Sequence, residues 1–166
     1  MTNKEHWFPA YVGLGSNLQG PVKQLERTFE ELNAIPVTRL IKQSSLYRSE
    51  PFGGVEQPDF VNAVAALLTQ LSAQDLLREL QRIENERGRE RGDVRWGPRI
   101  LDLDLLVYSD QVIDESDLSV PHPGISERNF VLLPLGEIAP KLTVPGLGQI
   151  SNIDTSCSEP QISRIV

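Results

Sequence analysis

Cysteine is almost absent from this sequence: Cys157 is the only one in 166 residues. A single cysteine excludes an intrachain disulfide and is compatible with a reducing compartment. The sequence also lacks an apolar run long enough for a membrane span, and its first residues lack the apolar core of a signal peptide. These absences predict a cytoplasmic protein without a membrane partner.

Basic residues are fewer than acidic ones, 16 against 23, which gives a formal net charge of -7. Nucleic-acid binding favours a basic surface, so this balance argues against a nucleic-acid partner. The length predicts one domain over residues 1–166, large enough for a hydrophobic core. We expect this domain to act as a monomer, with residues from about 151 to 166 as a loosely attached polar tail.

Glycine-rich phosphate-binding motifs are incomplete in this sequence. Gly13 and Gly15 lie in the Gly-rich turn that ends a predicted strand, but Leu18 stands where a dinucleotide-binding fingerprint has its third glycine, and no P-loop pattern occurs. The sequence therefore predicts neither a Rossmann protein nor a P-loop NTPase. We interpret the two glycines as turn residues.

Two aspartates, Asp102 and Asp104, stand in an otherwise apolar segment. Residues i and i+2 of a strand face the same side, so a strand here places both carboxylates side by side, with Cα atoms about 6.5–7 Å apart. Leu101, Leu103 and Leu105 then face the opposite side, toward a core. Paired carboxylates repel unless a cation lies between them, and a hard divalent cation such as Mg²⁺ is the expected partner. The alternative is an exposed face of an edge strand.

Arginines are concentrated next to this aspartate pair. One guanidinium group can donate to two phosphate oxygens at once, and it stays charged at every relevant pH. A polyphosphate with magnesium would therefore satisfy both the arginines and the aspartate pair. For Arg78 and Arg87 we prefer an exposed helix face with glutamate partners. The arginines of the segment are Arg78, Arg82, Arg87, Arg89, Arg91, Arg95 and Arg99.

Several other side chains have both an ordinary and a functional interpretation. His122 lies between two prolines, so a stiff loop presents it either to solvent or to a phosphate or proton. Phe60 and Phe130 would usually be core residues. Asn62 shares a strand face with Phe60 and could bind the edge of a flat heterocycle. Trp96 fits a core, or it could pack on a base or a guanidinium.

Apolar spacing and turn residues predict an α+β fold of the ferredoxin-like type. The element order β-α-β-β-α-β implies an antiparallel sheet with helices on one face, a short C-terminal helical extension, and a second face free for a ligand. Ser72 is the predicted N-cap of the second helix, and Ser126 that of the last helix. The predicted strands cover 10–15, 37–47, 60–67 and 100–108, with a hairpin partner at 111–113; the predicted helices cover 21–33, 72–88 and 127–133; loops cover 48–58 and 89–98.

The segment from Arg95 to Asp104, Arg-Trp-Gly-Pro-Arg-Ile-Leu-Asp-Leu-Asp, resembles the signature of the 6-hydroxymethyl-7,8-dihydropterin pyrophosphokinases, a family of folate biosynthesis. The resemblance covers nearly the whole chain. It continues in the same order through Gly15-Ser16-Asn17, Tyr47-Arg48, Gln57-Pro58-Asp59-Phe60-Val61-Asn62-Ala63, Val120-Pro121-His122-Pro123 and Pro134-Leu135-Gly136-Glu137-Ile138-Ala139-Pro140.

This resemblance implies an enzyme that transfers the terminal pyrophosphoryl unit of ATP, its co-substrate, to the hydroxymethyl group of the pterin and releases AMP. It implies that Asp102 and Asp104 hold two Mg²⁺ ions and that Arg89 and Arg99 act with them in catalysis. The implied pterin contacts are Ser49, Phe52, Phe60, Asn62 and Phe130. The implied nucleotide or phosphate contacts are Gln81, Glu84, Arg91, Trp96, Arg99, Ser119, His122 and Arg128.

The sequence departs from the family pattern at three positions. Asp117 stands where members often have a basic residue and Pro123 where they often have a tyrosine, which concerns the nucleotide contacts. Glu50 stands where a proline is common, in the pterin loop. Two alternatives stay open: a ferredoxin-like module that binds RNA or a regulatory nucleotide, and a non-catalytic relative.

Overall fold

The computed structural model describes residues 6–51, 56–88, 100–153 and 162–165. Its regular elements are β1 (Phe8–Ser16), α1 (Pro21–Asn33), β2 (Thr38–Gln43), β3 (Tyr47–Ser49), β4 (Phe60–Thr69), α2 (Ala73–Glu86), β5 (Asp102–Tyr108), β6 (Ile113–Asp114), β7 (Ser119–Val120), α3 (Asn129–Ile138), β8 (Thr143–Val144), β9 (Gly148–Gln149) and β10 (Ile162–Arg164), with 3-10 turns at Ile125–Glu127 and Ile150–Asn152.

The main sheet is antiparallel and runs in the order β10-β3-β4-β1-β5, with β2 also paired to β4. The strands that follow α1 and α2 thus lie on opposite sides of β1. This is the predicted ferredoxin-like arrangement, and it places the aspartate-bearing β5 at one edge of the sheet.

The two faces of the sheet bury different helices. On the first face, α1 and α2 cover a core that includes Leu25, Leu76 and Leu80. On the second face, α3 packs through Leu132 and Leu135 against residues of β4 and β5. The C-terminal helix therefore covers part of the face that the sequence predicts to be free for a ligand.

Local signals predict the two long helices well. Helix α1 begins at Pro21 and ends at Asn33, as predicted, because proline suits a first turn and the apolar residues recur at helical spacing. Helix α2 has Ser72 as its N-cap, and the Ser72 hydroxyl accepts a hydrogen bond of 3.1 Å from the backbone N–H of Asp75.

The predicted strand over 37–47 is wrong as a single element. Val37 has a φ of 45°, outside the β region, so β2 starts only at Thr38. Residues 44–46 then interrupt the strand between β2 and β3. At this break Ser44 keeps contact with β4, because its N–H donates to the Val64 carbonyl at 2.9 Å and its Oγ accepts from the Val64 N–H at 2.9 Å. The first two residues of the predicted loop over 48–58, Arg48 and Ser49, consequently belong to β3.

Two further elements differ from their prediction. Strand β6 pairs with β7 instead of forming a hairpin with β5. Ser126 lies within a 3-10 turn and does not cap α3, because the extended backbone of Arg128, at φ -120° and ψ 102°, separates that turn from the helix.

Part of the predicted C-terminal tail belongs to the sheet. Strand β10 pairs with β3, so that Ile162 lies opposite Ser49 and Arg164 opposite Tyr47. The N–H of Ile165 also donates to the Leu46 carbonyl at 2.8 Å. Residues 162–165 therefore give β3 a second neighbour, which a loose tail would not.

The prediction of an exposed helix face is confirmed for Arg78 and wrong for Arg87. Arg78 is exposed and pairs with Asp75 at 2.5 Å. The Arg87 side chain is only 4% exposed; it forms an ion pair with Glu31 of α1 and donates to Oε1 of Gln24 at 2.6 Å. Burial of the side chain, and then the nearby positive charge of Arg27 on α1, lower the pKa of Arg87. None of the helices in the described segments combines the length and apolar character that crossing a bilayer requires.

Candidate active site

Asp102 and Asp104 alternate along β5 with leucines that face the core, as the sequence predicts. Both aspartates are half-buried, whereas Leu103 is 5% and Leu105 is 4% exposed. Both carboxylates therefore project from the same face of the sheet, the face that also carries α3.

A row of directly opposed residues connects the aspartate strand to Asn62. Gly15 of β1 lies opposite Asn62 of β4 on one side and opposite Asp102 of β5 on the other. Opposed residues of antiparallel strands share a face, so Asn62 and Asp102 flank a residue that has no side chain. Their Cα atoms are two strand spacings apart, about 9.5 Å.

Gly15 keeps the space between Asn62 and Asp102 open. A β-carbon on Gly15 would lie 3.3 Å from Oδ1 of Asn62, closer than such atoms ordinarily approach. Gly13 and Gly15 both lie inside β1, so their prediction as turn residues is wrong. Their spacing of two residues, which places both on one strand face, is the signal that could have indicated this role.

Asn62 is fixed by the neighbouring strand. Its Nδ2 donates a 2.6 Å hydrogen bond to the hydroxyl of Ser49 on β3, and Asn62 and Ser49 are only 5% and 3% exposed. Phe60 lies directly opposite Ser49 and on the same face as Asn62. The structure thus brings three of the predicted pterin contacts together at the β3–β4 edge of the site.

The first turn of α3 and the residue before the helix contribute an aromatic side chain and an arginine to the same face. Phe130, in its first turn, is half-buried against the second core. The guanidinium carbon of Arg128 lies 5.8 Å from the centroid of the Phe130 ring. Gly124 provides space for Arg128, since a β-carbon on Gly124 would come within 2.8 Å of the Arg128 Nε.

His122 lies beside the aspartate pair. Its Nε2 is 4.0 Å from Oδ1 of Asp104, and its backbone N–H donates to the Leu106 carbonyl of β5 at 2.8 Å. The loop also fixes the imidazole tautomer, because Nδ1 accepts the N–H of Gly124 at 3.0 Å. The ring proton of the neutral imidazole therefore lies on Nε2, toward Asp104.

Burial, followed by the positive charge of Arg128, lowers the pKa of His122, and the Asp102 carboxylate offsets this only in part. The pKa thus falls below its ordinary value, and the imidazole is mainly neutral at pH 7. In that form it offers a hydrogen-bond donor on Nε2 without adding a full positive charge.

Glu84 reaches β5 from helix α2. It is only 6% exposed, and its Oε2 accepts the backbone N–H of Leu103 at 2.8 Å. Leu103 lies between the two aspartates, on the side of β5 that faces away from β1 among the described strands. Glu84 therefore stabilises the backbone that carries both carboxylates; its predicted contact with the nucleotide stays a prediction.

The remaining predicted site residues fall into two groups. Gln81 is exposed on α2 and Ser119 lies on β7; within the described segments neither forms a hydrogen bond or ion pair with the aspartates. The other group lies outside the described residues and consists of Phe52, Arg89, Arg91, Trp96 and Arg99.

Asn17 and Glu137 belong to the site's surroundings but were not predicted from the sequence. Asn17 is 3% exposed and donates at 2.9 Å both to Oε1 of Gln57 and to the Pro58 carbonyl, which ties the end of β1 to the segment before Phe60. Glu137 of α3 binds residues of β3.

In the described segments no cluster of three or more potential metal-ligating side chains occurs.

Comparison with known proteins identifies the family that this arrangement resembles. Residues 11–140 match the family model described as 7,8-dihydro-6-hydroxymethylpterin-pyrophosphokinase (HPPK). A Pseudomonas aeruginosa relative named 2-amino-4-hydroxy-6-hydroxymethyldihydropteridine pyrophosphokinase is 46% identical over 155 residues, which cover 93% of this chain and 95% of the relative. A Haemophilus influenzae relative with the same name is 49% identical over 136 residues, covering 82% and 84% of the two chains.

Solved structures show the same fold. A Plasmodium falciparum HPPK-DHPS structure with pterin and p-hydroxybenzoate superposes with a TM-score of 0.71 at 16% identity, covering 91% of this chain and 41% of that one. The wild-type structure of the same protein superposes with a TM-score of 0.68, also at 16% identity, covering 88% and 44%. This chain therefore spans about two fifths of the length of those longer chains.

Proposed function

Because the chain belongs to the 7,8-dihydro-6-hydroxymethylpterin-pyrophosphokinase family, we propose that the α3-bearing face of its sheet binds the two substrates of that activity at opposite ends of one cross-strand row. The enzyme transfers pyrophosphate from ATP to the hydroxymethyl group of 6-hydroxymethyl-7,8-dihydropterin in folate biosynthesis. The row Asn62–Gly15–Asp102 is the observation that carries the proposal.

The pterin binds at the Asn62 end of this row. Asn62 and Ser49 present a buried amide and hydroxyl that can recognise the polar edge of a heterocycle. Phe60 and Phe130 lie on the same face and can stack on the two sides of a flat ring. Phe52 completes this subsite in our proposal.

ATP binds at the aspartate end as its magnesium complex. Asp102 and Asp104 fit Mg²⁺, because they are half-buried oxygen donors on one face and magnesium usually takes only one or two carboxylates together with substrate phosphates. We assign two ions to this pair. When bound, the metal ions neutralise the phosphate charge and orient the reacting oxygens.

The protein's own groups act mainly by positioning. The hydroxymethyl oxygen attacks the β-phosphorus of ATP, the bond from that phosphorus to the oxygen bridging to the α-phosphorus breaks, and AMP leaves. In this proposal the hydroxyl proton passes to Asp102 or Asp104. His122 donates through Nε2 to a phosphate oxygen, and Arg128 adds positive charge beside it.

The other nucleotide-side assignments complete the proposal. Arg89 and Arg99 stabilise charge during transfer. Nucleotide or phosphate contacts come also from Gln81, Glu84, Arg91, Trp96 and Ser119. The protein works as a cytoplasmic monomer of one domain without a nucleic-acid partner, in keeping with its single cysteine and its net charge of -7.

Substitution of Asp102 tests the proposal. Asp102→Asn keeps the side-chain size but removes the charge, so AMP release should fall by about 100-fold or more, the range seen when one stabilising group is lost from a transfer site. Calorimetry should still detect pterin binding. Asp110→Asn is the matched control, because Asp110 is exposed in the turn after β5.

Two results would contradict the proposal. Full activity of Asp102→Asn would remove the aspartate pair from the reaction. Binding of a non-hydrolysable ATP analogue that is the same with and without magnesium would reject the metal assignment. At the other end of the row, Asn62→Ala should raise the KM for the pterin while leaving the KM for ATP unchanged.

A further inference from the structure

We infer that Glu137 of α3 is a positioning residue for the pterin subsite, although it would not contact the pterin. This inference rests on the function proposed above. Glu137 links the helix that carries Phe130 to the strand that carries Ser49, and it thereby sets the distance between the two sides of the subsite.

Glu137 binds β3 and the residues before it through several hydrogen bonds. Its Oε1 accepts the hydroxyl of Tyr47 at 2.7 Å, and its Oε2 accepts the hydroxyl of Ser45 at 2.9 Å. Both carboxylate oxygens also lie 3.1 Å from the backbone N–H of Ser45. Arg164 of β10 completes the charge balance, with its guanidinium 3.9 Å from Oε2.

The position of Glu137 on α3 connects this contact to the aromatic side chain. Phe130 and Glu137 are seven residues apart, so they lie on one face of the helix and about 10.5 Å apart along its axis. Attachment of Glu137 to Tyr47, together with the packing of Leu132 and Leu135, therefore restrains the rotation and the longitudinal position of α3 on the sheet. Phe130 follows as part of the same rigid helix.

The strand that receives these hydrogen bonds is short. Strand β3 has three residues between β4 and β10, and the residues from Ser44 to Leu46 before it lie outside any strand. Tyr47 lies directly opposite Asn62, and Ser49, two residues on, binds the Asn62 amide. A shift of Tyr47 would therefore move the Ser49 hydroxyl that orients Asn62.

Four variants separate positioning from simple stabilisation. Tyr47→Phe removes one hydroxyl from the contact with Glu137, and Glu137→Ala removes the whole acceptor. Glu137→Gln keeps an oxygen that can accept from Tyr47. Tyr108→Phe is the matched control, because the Tyr108 hydroxyl also donates a largely buried bond, to the Leu71 carbonyl, but on the opposite face of the sheet.

Steady-state AMP release and thermal unfolding should be measured for each variant. We expect the KM for the pterin to rise about fivefold in Tyr47→Phe and more in Glu137→Ala, with the KM for ATP unchanged. Glu137→Gln should recover part of the loss. Tyr108→Phe should lower the unfolding temperature and leave both KM values unchanged.

The outcomes distinguish this inference from the proposed function. An unchanged pterin KM in Tyr47→Phe and Glu137→Ala, or an equal rise in Tyr108→Phe, overturns the positioning role. Phe60→Ala and Asn62→Ala are measured in parallel as direct-contact variants. If these two raise the pterin KM and the Glu137 variants do not, only the inference fails; if neither direct-contact variant raises it, the proposed pterin subsite fails.

Discussion

The Oδ1 atom of Asn62 lies directly beside the Cα of Gly15, where a β-carbon would approach it to 3.3 Å. Gly15→Ala should therefore push the Asn62 amide away from its bond with Ser49. We expect the KM for the pterin to rise about tenfold, equivalent to roughly 1.4 kcal/mol, with little change for ATP. Initial rates of AMP release at varied pterin concentration provide the measurement.

Gly13→Ala is the control for that substitution. The nearest atoms to a β-carbon on Gly13 would be the two methyl groups of Leu106 at 3.5 Å, an ordinary packing distance. Alanine is also the better strand residue, so stability should stay equal or rise by about 0.5 kcal/mol. Equal increases of the pterin KM in both variants would show that strand composition matters and the space beside Asn62 does not.

Glu84→Ala should destabilise the aspartate strand. It removes the acceptor for the buried N–H of Leu103, and an unsatisfied buried donor costs about 1–3 kcal/mol. Urea unfolding should show a loss of that size, with a lower kcat for AMP release because both carboxylates are attached to the displaced backbone. Glu84→Gln keeps an accepting oxygen and should lose less; an equal loss would mean that the charge of Glu84, not its hydrogen bond, is what stabilises β5.

Ser72→Ala should lower the free energy of unfolding by about 1 kcal/mol without changing AMP release, because it removes the N-cap of α2 far from the site. Ser126→Ala is the internal comparison, since Ser126 has a similar sequence context but caps no helix. Its effect on urea unfolding should stay within about 0.5 kcal/mol. Similar losses in the two variants would contradict the capping assignment.

The Glu137 contact predicts a specific acid sensitivity. Burial raises the pKa of Glu137, but hydrogen bonds from Tyr47 and Ser45 outweigh this and leave the pKa below its ordinary value. A carboxyl whose pKa is lowered by folding stabilises the protein above its unfolded-state pKa, and this contribution disappears as the pH falls through the folded-state pKa. The difference in the free energy of unfolding between the natural sequence and Glu137→Gln should have its full size above about pH 5 and become smaller toward pH 3.

Urea unfolding across this pH range tests the prediction. Glu30→Gln, on the exposed side of α1, controls for the loss of one negative charge. A difference between Glu137→Gln and the natural sequence that stays constant down to about pH 3 would show that Glu137 is not held in its charged form by folding.

The parts of the fold that the sequence predicts depend on neighbouring residues. Helix α1 has its first-turn proline and apolar spacing within one segment, and Ser72 lies three residues from the N–H that it accepts. The alternation of Asp102 and Asp104 with leucines is equally local. These features do not need the rest of the molecule, so they could be predicted.

The features that could not be predicted depend on contacts between distant segments. The break after β2 coincides with the bonds of Ser45 to Glu137, 92 residues further along the chain. Arg87 is buried because Glu31 and Gln24 of α1 lie beside it. Its local sequence alone does not distinguish it from Arg78, which is exposed. The place of Gly15 between Asn62 and Asp102 depends on its pairing with β4 and β5, which its own segment does not show.

The pairing of β10 with β3 has a consequence for how the enzyme matures. Ile162 and Ser49 are separated by more than a hundred residues, so their pairing closes a very long loop, and such contacts form after the more local ones. We therefore expect β10 to join β3 late in folding, after β3 has paired with β4, because Ser49 and Phe60 of that pair are close in sequence. A newly made chain would gain a compact core before β10 covers the outer side of β3, the strand that carries Tyr47 and Ser49.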